Sequence, residues 1–176
     1  MKILAFGAST SAESINRQFA NFTASQASNS KITDLDLRDF NLPLYSVDEE
    51  AANGIPQDAH KFLDLIQQHD ALVVSLAEHN GSYAAAFKNL YDWASRANQK
   101  VWGEKPMVLL STSPGPRGGA TVMEAAKATF PRMGANLVAH FSLPSFYENF
   151  SAENGIVDAT LADEFKRAAS ALDALA

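Results

Sequence analysis

Two rhythms alternate along this chain, short apolar runs of strand length and longer stretches with apolar residues three and four apart, and the alternation predicts strands interleaved with helices. The apolar run Lys2 to Phe6 ends at Gly7, and after a polar stretch Ile15, Phe19 and Phe22 follow at helical spacing. A second strand is expected at Lys31 to Leu37, where Ile32, Leu35 and Leu37 are interleaved with Thr33, Asp34 and Asp36. Asp39 to Gly54 is rich in Asn, Pro, Asp and Glu without a clean period and reads as a long excursion rather than an element. Pro56 then sits where a first-turn proline would, and Phe62, Leu63, Leu65 and Ile66 give a second helix its apolar face. Ala71 to Leu76 is almost continuously apolar, the pattern of a strand buried on both sides. Phe87, Leu90, Tyr91 and Ala94 mark a helix from about Tyr83 to Asn98. Pro106 to Leu110 repeats the buried-strand pattern and runs into the polar segment Ser111 to Gly119, with a helix to about Phe130 beyond it. Leu137 to Leu143 makes a fifth strand, and Leu161, Phe165, Ala168, Leu172 and Leu175 line one face of a last helix.

Strands alternating with helices imply an α/β sandwich of three layers, a parallel sheet with helices on both faces, because right-handed crossovers leave few other solutions. The position of the unusual loops selects a strand order. Polar, Gly-containing loops follow the first, third and fourth strands. In the order 2-1-3-4-5 those strands are neighbours and their carboxyl ends share one crevice, whereas in 3-2-1-4-5 the third lies away from the switch point. The order 2-1-3-4-5 is therefore expected.

Composition narrows the function classes. With 176 residues, 47% of them hydrophobic, residues 1–176 form a single domain with a substantial core. No apolar run approaches the roughly 18 to 20 residues of a membrane helix, so no membrane partner is expected. Met1 to Gly7 is too short for a signal-peptide core, which makes a cytoplasmic location the expectation. The absence of cysteine excludes disulfides, thiolate catalysis and Cys-based metal sites. A net charge of −6 without a basic cluster gives nucleic acid no electrostatic purchase. His60, His69 and His140 are scattered without metal-ligand spacing, so no metal is expected and they read as surface or capping residues.

The chemistry concentrates in the three loops. Gly7 to Asn16 brings the hydroxyls of Ser9, Thr10, Ser11 and Ser14, with the Asn16 amide, to a helix start whose unpaired N–H groups and dipole favour an anion. Any one of these residues alone is more simply a cap; together they exceed what one cap requires and point to a phosphate. The loop is neither G-x-G-x-x-G nor a Walker loop, and it holds Glu13 but no cation before Arg17, so the anion would rest on neutral donors. His79 with Ser82 or Glu78 makes no hydrolase triad, as no strand ends in G-x-S-x-G.

The second loop, Ala77-Glu78-His79-Asn80-Gly81-Ser82-Tyr83, with the Lys88-Asn89 and Asp92-Trp93 pairs of the following helix, resembles the signature of the NADPH-dependent FMN reductase family. That family usually reads Pro-Glu-Tyr-Asn-Gly-Ser here. Its phosphate loop is similar to the first loop, and its third loop to Ser111-Thr112-Ser113-Pro114-Gly115-Pro116-Arg117-Gly118-Gly119. The resemblance implies a flavodoxin-like fold binding FMN, reduced by NADPH or NADH and reoxidised by a quinone, azo compound, free flavin or metal oxyanion in ping-pong fashion. It also implies a homodimer or homotetramer. Carried over, Ser9, Ser11, Ser14, Ile15 and Asn16 would hold the FMN phosphate. Ala77, Glu78, His79, Asn80 and Gly81 would meet the isoalloxazine, largely through backbone groups, with Ser113 and Gly115 near its other edge. No catalytic side chain is expected, since the flavin carries the chemistry. Ala77 and His79 replace the family's Pro and Tyr, which bears on nicotinamide stacking and acceptor preference. Arg117 reads either as a partner for an NADPH phosphate or as a solvated first-turn residue, Tyr45 as a dimer-side or loop-packing residue, and Phe146 to Phe150 as core or interface packing before a cover for the ring. Tyr91 and Trp93 read as core before dimer face. The alternatives to an enzyme are a flavodoxin-type electron carrier, whose usual strong acidity is missing, and a flavin-binding regulatory protein without NADPH turnover.

Overall fold

In a computed structural model that describes residues 1–175, the chain runs from β1 (Lys2–Ala8) through the first loop to α1 (Ile15–Ser25) and β2 (Lys31–Asp34). It continues through α2 (Val47–Asn53) and α3 (Gln57–Gln67) to β3 (Ala71–Leu76), the hairpin β4 (Glu78–His79) and β5 (Ser82–Tyr83), and α4 (Ala85–Ala97). Then come β6 (Pro106–Thr112), α5 (Ala120–Thr129), β7 (Asn136–Leu143), the single turn α6 (Phe146–Asn149), the hairpin β8 (Phe150–Ser151) and β9 (Gly155–Ile156), and α7 (Ala159–Asp173). The main sheet has five parallel strands in the order β2-β1-β3-β6-β7. This is the expected 2-1-3-4-5 order of a flavodoxin-like fold, with two short hairpins inserted.

The sheet is covered on both sides, which explains the unbroken apolar runs. Leu4, Phe6, Leu72 and Leu109 face one core with Phe62, Phe87, Trp102 and Phe130, while Ile3, Val73 and Val108 face the other with Phe19, Phe141 and Phe165. Each such large side chain contributes about 1.5–3 kcal/mol by burial. Gly7 fixes how closely the first helix meets the first strand. A Cβ there would lie 2.7 Å from the Asn16 carbonyl carbon, so only glycine lets α1 start hard against the end of β1.

Several local expectations are corrected. β2 stops at Asp34 rather than running to Leu37, because the Asp36 carboxylate accepts the Arg38 N–H at 2.9 Å and turns the chain into a short 3-10 segment, Leu37–Asp39. The excursion from Asp39 to Gly54 contains α2, capped by Ser46 Oγ accepting the Glu49 N–H at 3.0 Å and closed at Gly54 with φ 74°. Because α2 buries no residue, it carries no hydrophobic stripe to read. Of the two readings of His69, surface or cap, the cap holds: it is 6% exposed, with Nδ1 2.6 Å from the Leu65 carbonyl in the last turn of α3 and Nε2 2.7 Å from Thr33 Oγ1. It fastens the end of α3 to β2. Tyr91 and Trp93 are buried, and burial pushes the Tyr91 hydroxyl up to about 12. Among the described residues no helix is long and apolar enough to cross a membrane, and no three His, Asp or Glu side chains gather as metal ligands.

Candidate functional site

Because β1, β3 and β6 are adjacent, the loops leaving their carboxyl ends meet in an open cleft of about 180 Å³. Ser9, Ser11, Ser14, Ile15 and Asn16 line one end of it, and Ala77, Glu78, His79 and Ser113 the other. Asn80, Gly81 and Gly115 are not among the lining residues. Thr112 and Pro114 join Ser113 in the wall, and Glu13 stands at the first loop's rim.

The first loop is arranged to donate. Ser9 Oγ accepts the Ser11 N–H at 3.1 Å, and Ser14 Oγ accepts the Arg17 N–H at 3.1 Å. Each hydroxyl oxygen is thus engaged as an acceptor while its hydrogen remains available to a ligand. The geometry of a helix start leaves the amides of Ser14, Ile15 and Asn16 without intrahelical acceptors, the first helical bond being Gln18 N–H to Ser14 O at 3.1 Å. Among the described residues no Lys or Arg lines this end of the cleft. Arg17 turns instead to Asp34, at 2.8 Å, and to Asp36. Hydrogen bonding to Asp34 holds its pKa above the ordinary value. Arg38 foremost, aided by Arg17, keeps the Asp36 carboxyl far below the usual carboxylate range.

Asn16 does more than the loop pattern suggests. Its side chain is 3% exposed and bridges two strands: Nδ2 donates to the Thr112 carbonyl at 3.2 Å, while Oδ1 accepts from Ser75 Oγ at 2.7 Å and from the Thr112 N–H at 3.1 Å. With its acceptor spent on β3 and β6, Asn16 has its backbone amide and one side-chain hydrogen to offer an anion.

The second loop is a hairpin whose turn residues, Asn80 at φ 52° and Gly81 at φ 74°, have the two positive φ angles of a type I′ turn. This explains the Asn-Gly pair as turn chemistry. Glu78 reaches the other way, its Oε2 accepting the Val122 N–H at 2.8 Å and capping α5, whose N-cap Gly119 has no side chain to do so. The Glu78 side chain is thereby committed to structure. In the third loop Gly118 has φ 58°, and a Cβ there would sit 2.8 Å from the backbone of Leu143. Arg117 is exposed and donates to Thr121 Oγ1 at 2.9 Å. Tyr45 is held by loop packing, its N–H donating to Asn89 Oδ1 at 2.9 Å and its ring edge-on to Trp93 at 5.0 Å.

Tyr147 lies where the second of two sequence readings, a cover for the ring rather than packing, put its cluster. Of the cluster read as packing, Phe146 is buried, but Tyr147 is 72% exposed and borders the cleft. It follows the fifth main strand, whose loop has no Gly-rich signature to draw attention to it. The donor set at one end fits a phosphate ester, and the loops carrying Ala77, Glu78, His79 and Ser113 at the other leave room for a flat heteroaromatic ring. FMN combines both groups.

Comparison with known proteins agrees with this chemistry. The sequence profile described as NADPH-dependent FMN reductase matches residues 1–148. A probable NADPH:quinone oxidoreductase of Oryza sativa is 30% identical over 142 residues, 76% of this chain and 69% of that protein. A 2-hydroxy-1,4-benzoquinone reductase of Burkholderia is 37% identical over 122 residues, 68% of this chain and 64% of its own. Among solved structures, the NAD(P)H:acceptor oxidoreductase FerB of Paracoccus denitrificans superposes with a TM-score of 0.72 at 26% identity, covering 99% of this chain and 94% of that one. An FMN-dependent NADH-azoreductase of Bacillus anthracis, solved with FMN, shares the fold at a TM-score of 0.64 and 16% identity, over 99% of each chain. With the profile spanning most of the sequence and the three loops meeting where the fold requires, this chain belongs to the NADPH-dependent FMN reductase family of oxidoreductases.

Proposed function

We propose that this protein is an FMN-dependent NAD(P)H oxidoreductase that works by two half-reactions, taking a hydride from NAD(P)H and, after the nicotinamide leaves, passing reducing equivalents to a small quinone-class acceptor. The observation that carries the reading is the cleft itself, which brings the hydroxyls of Ser9, Ser11 and Ser14 together with Ala77, Glu78, His79 and Ser113. Bound FMN supplies the hydride chemistry, so the protein needs to bind, orient and exclude rather than to attack. Ser9, Ser11 and Ser14 hydroxyls and the amides of Ser14 to Asn16 hold the phosphate, each bond to the charged group contributing about 1.5–3 kcal/mol. Backbone groups of Ala77 to His79 and of Ser113 orient the ring, and amides directed at it favour the negative charge that reduction brings. Asn80, Gly81 and Gly115 serve the site by shaping the loops around it.

The relatives' names support quinones over azo compounds or metal oxyanions as the acceptor class. A second apolar groove, walled by Leu37, Phe40, Leu42 and Leu44 and by Ala85 and Leu90 of α4, supports a homodimer, as Leu44 is 83% exposed and the neighbouring Val47 72%. The cytoplasm, with its NAD(P)H supply, is the location consistent with this chemistry.

Titration of cofactor-stripped protein with FMN, followed by flavin fluorescence, tests the reading. Saturation near one flavin per chain, then steady NADPH oxidation on addition of a benzoquinone with parallel double-reciprocal plots, is the expected result. Folded protein that ignores FMN would sink the assignment. Stoichiometric FMN with no NADPH turnover would make the protein an electron carrier or flavin-binding regulator instead.

A further inference from the structure

Most of the residues lining the cleft are small, and among the described residues Tyr147 is its one benzenoid side chain. Its placement is built. Phe146, the residue before it, is buried and stacks on Phe150 at 4.8 Å, which roots the single turn α6 in the core. The turn is also tied to the third loop: the Ser145 N–H donates to the Gly115 carbonyl at 2.9 Å, and the Phe146 N–H to the Ser113 carbonyl at 3.0 Å. Ser145 itself adopts φ 45° and ψ 60°, a left-handed conformation uncommon for a residue with a side chain. This strained residue starts the turn that sends Phe146 inward and leaves Tyr147 72% exposed beside Ser113 and Pro114. The Tyr147 ring meets Phe146 edge-on at 5.6 Å, and being otherwise mostly in water it is suited to a ligand's flat face.

Resting on the FMN reading above, we infer that Tyr147 is an aromatic wall of the flavin site, its ring laid against the isoalloxazine. The phenol is electron-rich and the oxidised flavin ring electron-poor, so stacking holds the cofactor and quenches its emission. Tyr147 then acts on the ring and the first loop on the phosphate, which makes the two contributions separable.

The experiment titrates stripped wild-type protein and the variants Tyr147→Ala, Tyr147→Phe and Ser14→Asp with FMN and with riboflavin, which lacks the phosphate, reading affinity and residual emission. Tyr147→Ala is expected to weaken both ligands alike, by about threefold to tenfold, and to raise bound-flavin emission. Tyr147→Phe should retain the wild-type values, and Ser14→Asp should weaken FMN alone. Wild-type affinity and emission in Tyr147→Ala, with Ser14→Asp still impaired, would overturn the aromatic wall while leaving the FMN site intact. Wild-type protein that binds neither flavin would overturn the site and the wall together. Flavin binding unchanged in Tyr147→Ala but a smaller sedimenting species would reassign the ring to a contact between subunits. Since Tyr147 is mostly exposed, thermal unfolding of the apo variants should coincide with wild type and serves as the folding control.

Discussion

The two ends of the cleft are organised by different means. At the phosphate end, the hydroxyls are set by bonds spanning two or three residues, Ser11 to Ser9 and Arg17 to Ser14. At the ring end, position comes from partners far away in sequence: Glu78 holds Val122, and Ser145 and Phe146 hold the third loop. Asn16 joins the two ends by binding β3 and β6 from the first helix. The short-range end is a local property of its sequence, while the long-range end exists only once the sheet has formed. A substitution at the first should therefore alter binding with little change in fold, and one in the long-range network should alter both.

The largest effect sharpening that contrast is expected from Ser14→Asp, which sets a carboxylate against the phosphate in place of a donor. Like-charge juxtaposition costs several kcal/mol, so FMN affinity should fall by about two orders of magnitude in fluorescence titration, with the urea midpoint close to wild type. Equal affinity would remove the phosphate assignment. Next comes Asn16→Ala, which leaves Ser75 Oγ and the Thr112 backbone without partners in a buried place. Urea unfolding should show a loss of about 2–3 kcal/mol, and FMN binding should weaken in the same protein. A stable Asn16→Ala variant with weak binding would mean the side chain serves the phosphate and not the strands. Glu78→Ala should cost about 1 kcal/mol, the value of a helix cap, and Glu78→Gln, which keeps an acceptor, should recover most of it. If Gln is as poor as Ala, charge at the α5 terminus matters more than the bond. The smallest effect concerns acid. The folded-state pKa of Asp36 lies below its unfolded value, so its contribution is complete above about pH 4 and is lost as pH falls further. Asp36→Asn should flatten the acid limb of stability against pH by at most about 1 kcal/mol, as expected of a partly solvated pair; an unchanged limb would assign acid sensitivity to other carboxylates.

The same division decides what could be read from the sequence. β3 and β6 are visible as apolar runs because both their faces are buried, and the strand order follows from which loops are polar. The phosphate loop is legible for the local reason just given. α2 lacks a buried face, so periodicity passes over it, although Ser46 with Glu49 and the terminal Gly54 spell a capping box and a stop. The Asn80-Gly81 pair was equally readable as a type I′ hairpin. For Tyr147 and His69 the sequence left two readings open, packing or ring cover for the first and surface or cap for the second. Which side chain borders a cleft, or finds a carbonyl and a threonine across two elements, is settled by tertiary packing and not by spacing along the chain.

The pairing of Arg17 with Asp34 and Asp36 has a consequence for ionic strength. Anion sites that rely on Lys or Arg lose affinity as salt screens the attraction. Here that cation is already neutralised, the donors are uncharged, and the chain as a whole carries −6. The long-range force on an approaching dianion is repulsive, so added salt should leave FMN affinity unchanged or raise it, and should speed association.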